Sequence, residues 1–254
     1  MAGLPGQAMG YDRAITIFSP EGKLYQVEYA FEAVRKGWTS LGVRSDSSVV
    51  LLSEKKHVMK LMDLDTIEKV FIVDDHIGVT FAGFGSDGRI LIDYARLVSI
   101  RHKLLYGDPI TIEYLTKQVA DVKHQYTQYG GVRPFGVSMI FGGVDPDGAT
   151  RLLRTEPGGQ YIGYHAIAIG MGGQAANEYL EQHYNAKLDP ESTIRLAFEA
   201  MIYSIRQRNE NIAELTAENF DAGVALRDTG KMRKLAKDEI EEIVGKVVQK
   251  FQKD

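Results

Sequence analysis

Residues 39–52 read TSLGVRSDSSVVLL, and this stretch sets the fold class of the chain. It contains two short β-type runs, 39–44 and 49–52, on either side of the turn-forming sequence Ser45-Asp46-Ser47. A second pair of runs, 70–73 and 77–84, flanks Asp74-Asp75 in the same way. Short strands that are joined by tight turns pair antiparallel, so we expect two β-hairpins here.

Beyond these hairpins, helices come in pairs and strands come in runs. Apolar residues at helical spacing predict helices over 90–104 and 112–126, then around 175–184, 193–206 and 240–251. Further strands are predicted at 137–144, near 152, at 161–164, 166–169 and 223–227. Strict alternation of strand and helix is missing, which argues against a doubly wound parallel sheet. The sequence therefore predicts an α+β fold, a four-layer αββα sandwich of two antiparallel sheets between helix layers.

The N-terminal region predicts a mobile leader followed by a helix. Glycine and proline are frequent in residues 1–10, and apolar anchors are few. Ser19 is the expected N-cap and Pro20 the first helical residue of a helix over 20–36. No linker divides the remainder, so we expect one domain over 1–254, with a leader over 1–19.

Composition excludes several classes of function. The chain has 254 residues, 44% of them hydrophobic, and a formal net charge of −4. Its basic residues are scattered among acidic ones, which argues against a nucleic-acid partner. Cysteine is absent, so disulfides, thiolate metal sites and a cysteine nucleophile are excluded. The six histidines show no ligand spacing, and we expect neither a metal nor a cofactor.

The sequence also shows no membrane signal. Its first ten residues lack the basic start and apolar run of a signal peptide, and no apolar stretch approaches the length of a membrane span. We expect a cytoplasmic protein without membrane contact.

The stretch 83–88, GFGSDG, matches the G-x-G-x-x-G pattern of a dinucleotide-binding loop. The surrounding strands are predicted hairpins, and Asp87 would place a negative charge where a phosphate would bind. We therefore interpret the stretch as a tight turn in which Ser86 or Asp87 caps the next helix.

Two longer stretches carry a family resemblance. Residues 11–30, YDRAITIFSPEGKLYQVEYA, closely resemble the N-terminal signature of proteasome α-subunits, in an archaeal-like form. Residues 126–136, YTQYGGVRPFG, resemble the loop of that family at the mouth of the α-ring. The resemblance implies the N-terminal-nucleophile hydrolase fold, which agrees with the predicted order of elements along nearly the whole chain.

The resemblance also implies a function. Family α-subunits form rings of seven, which we expect to be homomeric in this case, and these stack on rings of β-subunits, which are threonine proteases. The active members' terminal threonine aligns with Trp38, and neither Thr39 nor Ser40 can supply a free amine while residues precede it. The implied role is therefore a non-catalytic subunit that gates the entry of unfolded protein during ATP-dependent degradation. The alternative is a threonine hydrolase in which cleavage of the leader frees Thr39.

Site residues follow from the same resemblance. Lys69 alone would be interpreted as a surface lysine paired with Glu68. In family α-subunits, the lysine at its position receives the C-terminal carboxylate of an ATPase activator whose tail ends in a hydrophobic residue, a tyrosine and any residue. The implied pocket residues are Lys69, Glu28 and Gly83. The implied gate residues are Tyr11, Asp12, Arg13, Pro20 and Tyr29, and the ring-mouth loop comprises Tyr129, Gly130, Gly131, Val132, Arg133 and Pro134.

Overall fold

The computed structural model describes residues 16–56, 59 and 61–253. The helices within this part are α1 (Tyr25–Lys36), α2 (Gly85–Tyr106), α3 (Ile112–Gln128), α4 (Gly173–His183), α5 (Pro190–Gln207) and α6 (Lys237–Lys253). The strands are β1 (Ser40–Arg44), β2 (Ser48–Glu54), β3 (Val70–Asp74), β4 (Ile77–Gly83), β5 (Val137–Val144), β6 (Thr150–Thr155), β7 (Tyr161–Gly163), β8 (Ala166–Ile169), β9 (Phe220–Leu226) and β10 (Lys231–Lys234).

The strands form two five-stranded sheets with antiparallel pairing throughout. The first sheet has the order β10-β9-β2-β1-β8, and the second has the order β3-β4-β5-β6-β7. Helices α4 and α5 cover the outer face of the first sheet, α6 packs against α5 and shares its core, and α2 and α3 cover the outer face of the second sheet. The predicted four-layer α+β sandwich is confirmed.

Strand β2 shows how the sequence builds these layers. All seven of its residues are buried, because alternate side chains point to opposite covered faces. Val50 and Leu52 belong to the core beneath α5, whereas Val49 and Leu51 belong to the core between the two sheets. A strand that is buried on both faces reads as a continuous apolar run, which is the pattern of residues 49–52.

Helix α1 begins at Tyr25, five residues later than predicted. Ser19 caps a turn and not a helix: its carbonyl accepts the Gly22 N–H at 2.8 Å and its hydroxyl accepts the Lys23 N–H at 3.2 Å. Gly22 has a φ of +76°, a left-handed conformation that interrupts helical geometry. The prediction of Ser19 as N-cap of a helix over 20–36 was therefore wrong, although the end at Lys36 was correct.

The G-x-G-x-x-G stretch is a strand-to-helix turn, but its cap was also predicted wrongly. Helix α2 has Phe84 at its N-cap, with no side-chain capping bond, so neither Ser86 nor Asp87 takes that role. Gly83 has a φ of +117°, and a Cβ there would overlap the Gly136 carbonyl oxygen. A Cβ on Gly37 would in turn overlap the Gly83 backbone nitrogen. These three glycines form a glycine column, in which the backbones of Gly37, Gly83 and Gly136 lie against one another.

Candidate functional site

Lys69 lies directly before β3 and is buried, with 5% of its surface exposed. Its Nζ donates a hydrogen bond of 2.8 Å to the carbonyl oxygen of Phe81 on β4. The same Nζ lies 3.7 Å from the centroid of the Phe81 ring and 6.0 Å from that of Trp38. The interpretation of Lys69 as a surface lysine paired with Glu68 was wrong, since Glu68 instead pairs with Lys234 at 2.8 Å.

The charge state of Lys69 reflects this burial. Removal from water disfavours the ammonium and lowers the pKa of Lys69 from 10.5 to about 7, while the carboxylate of Asp221 acts in the opposite direction. A lysine pKa in this range is typical of an amine that is buried among mostly apolar groups. Such a lysine is a candidate functional residue, because a negatively charged ligand beside it would strongly favour its protonated form.

Lys69 lines a pocket of about 580 Å³ between the end of α1, the β3–β4 hairpin and the start of α2. Its walls carry aromatic rings and a cationic rim, and the lining residues are Lys36, Gly37, Trp38, Thr66, Ile67, Glu68, Lys69, Phe71, Phe81, Gly83, Gly85 and Arg89. Lys36, Lys69 and Arg89 outnumber Glu68, the one acidic residue of this lining. The pocket therefore suits a ligand with an apolar body and a negatively charged group.

The structure brings two of the three predicted pocket residues together. Gly83 lines the pocket beside Lys69. Glu28 lines a separate pocket of about 670 Å³, together with Arg154, Glu156 and residues at the start of α4. Within a single chain, Glu28 therefore does not share the Lys69 pocket, and its predicted role would require a neighbouring copy.

Thr39, the nucleophile of the alternative hydrolase hypothesis, lies directly before β1. Thr39 is fully buried, and its Oγ1 accepts hydrogen bonds from the Gly172 N–H at 3.0 Å and from Arg208 at 2.9 Å. Ser40 is also fully buried and donates to the Phe81 carbonyl oxygen at 2.7 Å. Both hydroxyls are thus engaged in the interior.

The gate residues are only partly covered by the structure. Tyr11, Asp12 and Arg13 lie outside the described residues, and their predicted role stays a prediction. Pro20 is exposed within the turn that precedes α1. Tyr29 is half-exposed on α1, where its ring stacks on Tyr25 with centroids 6.5 Å apart.

The ring-mouth loop, Tyr129–Pro134, is attached to α2 by an ion pair. Arg133 donates from both terminal nitrogens to Asp87, at 2.7 and 2.8 Å, and the Gly136 N–H donates to the same carboxylate at 2.9 Å. Burial by itself would raise the pKa of Asp87, but these hydrogen bonds outweigh it and lower that pKa. Residues 129–133 are exposed, so the loop faces outward from this anchor.

The sequence reasoning missed three residues that build these sites. Phe81 supplies both the carbonyl and the ring that hold Lys69, Asp221 binds the backbone at Lys69, and Asp87 anchors the loop. Asp221 lies 152 positions from Lys69 along the chain. A single sequence contains no local signal for such a contact.

Membrane-spanning helices and clustered metal ligands are both missing from the described part of the chain. Within residues 16–56, 59 and 61–253, no helix is both long and apolar enough to cross a membrane. Over those same residues, no three histidine, aspartate or glutamate side chains are grouped as a metal site would require.

Comparisons with known proteins agree with these features. The family model for the proteasome subunit matches residues 34–224, and the model for the A-type N-terminal signature of proteasome subunits matches residues 11–33. The proteasome alpha subunit of Sulfolobus acidocaldarius is 54% identical over 240 residues, which cover 94% of this chain and 98% of the relative. The protein of the same name from Metallosphaera sedula is 55% identical over 232 residues, covering 91% of this chain and 94% of the relative. That of Aeropyrum pernix is 52% identical over 244 residues, with 95% of each chain covered. The sandwich, the signature and these relatives together show that the chain belongs to the proteasome subunit family, as an α-type member.

Proposed function

We propose that the chain is a non-catalytic subunit of a proteasome core particle, in which it forms a seven-membered, homomeric ring. The ring stacks on proteolytic β-subunits in the cytoplasm and controls the entry of unfolded protein. An ATPase activator opens it by inserting C-terminal tails into the Lys69 pockets.

The pocket is the observation that carries this proposal. Among the described residues, the Lys69 ammonium donates to the Phe81 carbonyl and to no carboxylate. An ammonium has three donors, so a carboxylate that enters the pocket can accept a further hydrogen bond. A charge-assisted hydrogen bond of this kind contributes about 1.5 to 3 kcal/mol. Several tails on one ring add to this by avidity, because each later tail binds from a high effective concentration.

The chemistry of the β1 start supports a non-catalytic role. A threonine of the N-terminal-nucleophile type needs its own free amine as base. Here Gly37 and Trp38 connect α1 to Thr39, and the Thr39 hydroxyl accepts two hydrogen bonds in the interior. The hydroxyl is therefore committed to a structural contact.

The turn before α1 supports a role in gating. Proline has a fixed φ near −65°, and Pro20 lies between the hydrogen-bonded Ser19 and the left-handed Gly22. The direction in which the preceding segment leaves α1 depends on this turn. A small displacement of the turn would change the direction of residues 16–18, which lead into it.

The test uses a particle that is reconstituted from this chain and active β-subunits. Deletion of residues 1–12 should increase the rate of peptide hydrolysis, because the gate is removed. Lys69→Ala should abolish stimulation by the ATPase, whereas Lys187→Ala, which changes an exposed lysine between α4 and α5, should leave stimulation intact. Electron micrographs of the purified chain should show seven-fold rings. Unchanged rates in both the deletion and Lys69→Ala would refute the gate and the pocket.

A further inference from the structure

Asp221 makes an unusual contact for a residue of β9. A single carboxylate oxygen, Oδ2, accepts the backbone N–H of Lys69 at 2.8 Å and that of Val70 at 2.9 Å. The same oxygen accepts from Lys234 Nζ at 3.0 Å. Asp221 belongs to the first sheet and Val70 to the second, so this carboxylate joins the two sheets at the wall of the pocket.

The contact fixes the position of the Lys69 backbone just before β3. Strand β3 is the edge strand of its sheet, and its ladder with β4 starts at the pair Val70 and Thr80. Lys69 precedes this ladder, and its backbone N–H binds Asp221 instead of a neighbouring strand. Because a backbone donor inside a protein needs an acceptor, loss of this carboxylate would release the Lys69 backbone.

The contact also acts on the charge of Lys69. Its surroundings contain the cations Lys36 on α1 and Arg89 on α2, the anion Glu68 beside it, and Lys234 on β10, which binds both Glu68 and Asp221. Asp221 is the anion whose attraction favours the protonated form of Lys69 against its burial. Asp221 thus affects both the backbone position and the charge of Lys69.

We propose that Asp221 is a positioning residue for the Lys69 pocket: it holds the Lys69 backbone in place and favours the protonated amine, so that an incoming carboxylate more often meets a cation. This inference rests on the proposed docking function of the pocket. It makes docking dependent on pH, because an unprotonated amine offers no charge to the tail. Tail binding weakens as the pH rises. Without the Asp221 charge, this weakening begins at a lower pH.

The first experiment measures the titration of Lys69 in the full chain. Trace acetic anhydride acetylates only an unprotonated amine, with acetate as the leaving group, and mass spectrometry gives the rate for each lysine between pH 5 and 10. Asp221→Asn retains an amide oxygen for the two backbone donors but removes the charge. It should lower the pH midpoint of Lys69 acetylation by about one unit. Asp221→Glu should restore the midpoint, and Asp228→Asn, in the exposed turn after β9, should not change it.

The second experiment measures binding of a synthetic peptide that ends in Leu-Tyr-Arg with a free carboxylate, with the amidated peptide as a control. For Asp221→Asn, affinity should fall more than threefold at pH 7.5 but less than twofold at pH 6. An equal loss at both pH values, with an unchanged acetylation midpoint, would show that Asp221 is merely structural and would overturn the inference. Wild-type affinity in Lys69→Ala would instead overturn the docking function, and the two failures are thus distinguishable.

Discussion

Ser40 Oγ and Lys69 Nζ donate hydrogen bonds to the same oxygen, the carbonyl of Phe81, at 2.7 and 2.8 Å. The hydroxyl comes from β1 and the amine from the residue before β3, so one carbonyl of β4 joins both sheets. The carbonyl would keep a donor if Lys69 were replaced, since Ser40 remains. Replacement of Lys69 would therefore still leave the Phe81 carbonyl oxygen with one hydrogen-bond donor.

Lys69→Met should increase the free energy of unfolding by about 1 to 3 kcal/mol at pH 6, because it removes a buried charge without a directly bonded carboxylate. The gain should shrink as the pH rises. In the folded wild type the pKa of Lys69 is about 7, against 10.5 when exposed. Between these values the unfolded chain binds more protons, so the stability of the wild type increases with pH and that of the variant does not.

Urea unfolding of both proteins at pH 6 and pH 9 measures the difference in their free energies of unfolding. Lys187→Met is the matched control, because Lys187 is exposed and its replacement should cost little at either pH. If Lys69→Met stabilised the protein by the same amount at both pH values, the assignment of Lys69 as a buried, titrating amine would be wrong.

Asp87→Ala should destabilise the fold by about 2 kcal/mol, because it removes the acceptor of Arg133 and leaves the buried Gly136 N–H unpaired. The ring-mouth loop should become sensitive to limited proteolysis. Because hydrogen bonding lowers the folded-state pKa of Asp87, the carboxylate contributes its full share of folding stability above its ordinary pKa of 3.8. That stability is lost as the pH falls through the lowered pKa.

The control is Asp93→Ala on the same helix, because the contacts of Asp93 with Arg89 and Arg96 are exposed and long. Equal effects of the two variants would argue against this anchor.

Gly83→Ala should cost about 3 kcal/mol or more, since a Cβ at this left-handed position would overlap the Gly136 carbonyl. Gly85→Ala, two residues later at the start of α2, has no atom within 4 Å of the added Cβ and should change stability by about 1 kcal/mol at most. Thermal unfolding of the two variants measures the contrast. Similar melting temperatures would show that the backbone contact is not rigid.

Thr39→Val should destabilise the chain by about 2 kcal/mol, because the Gly172 N–H and Arg208 would lose an acceptor in the interior. Thr39→Ser retains the hydroxyl and is the control. Peptide hydrolysis by the purified chain separates this structural role from the rival hypothesis of a threonine nucleophile. Hydrolysis by the wild type and by Thr39→Ser, but not by folded Thr39→Val, would favour the hydrolase.

Local patterns predicted most of the fold. The strand at 137–144 coincides with β5, because a run of apolar residues between turn formers is typical of a buried strand. The start of α1 could not be read locally, since Ser19-Pro20 fits a helix start as well as the turn that Gly22 imposes. The boundary depends on a backbone conformation and not on a residue type alone.

The candidate site was predictable only in part. The resemblance pointed to Lys69 and Gly83, which the structure places in one pocket. The burial of Lys69 depends on Phe81 and Trp38, which contact it only after the sheets have formed. Asp87 similarly has the spacing of a helix cap but binds Arg133, 46 positions away. Sequence periodicity indicates which face of a helix or strand a residue occupies. It does not indicate which distant residues will contact that face, because those contacts depend on tertiary packing.

The glycine column has a mechanical consequence. Gly37 follows α1, Gly83 lines the Lys69 pocket, and Gly136 follows the ring-mouth loop, so three distant parts of the chain meet at close backbone contacts. Side chains at such contacts could absorb a displacement by changing rotamer, but these residues have none. A displacement of the backbone at Gly83 should therefore press directly on the backbone of Gly37 and of Gly136.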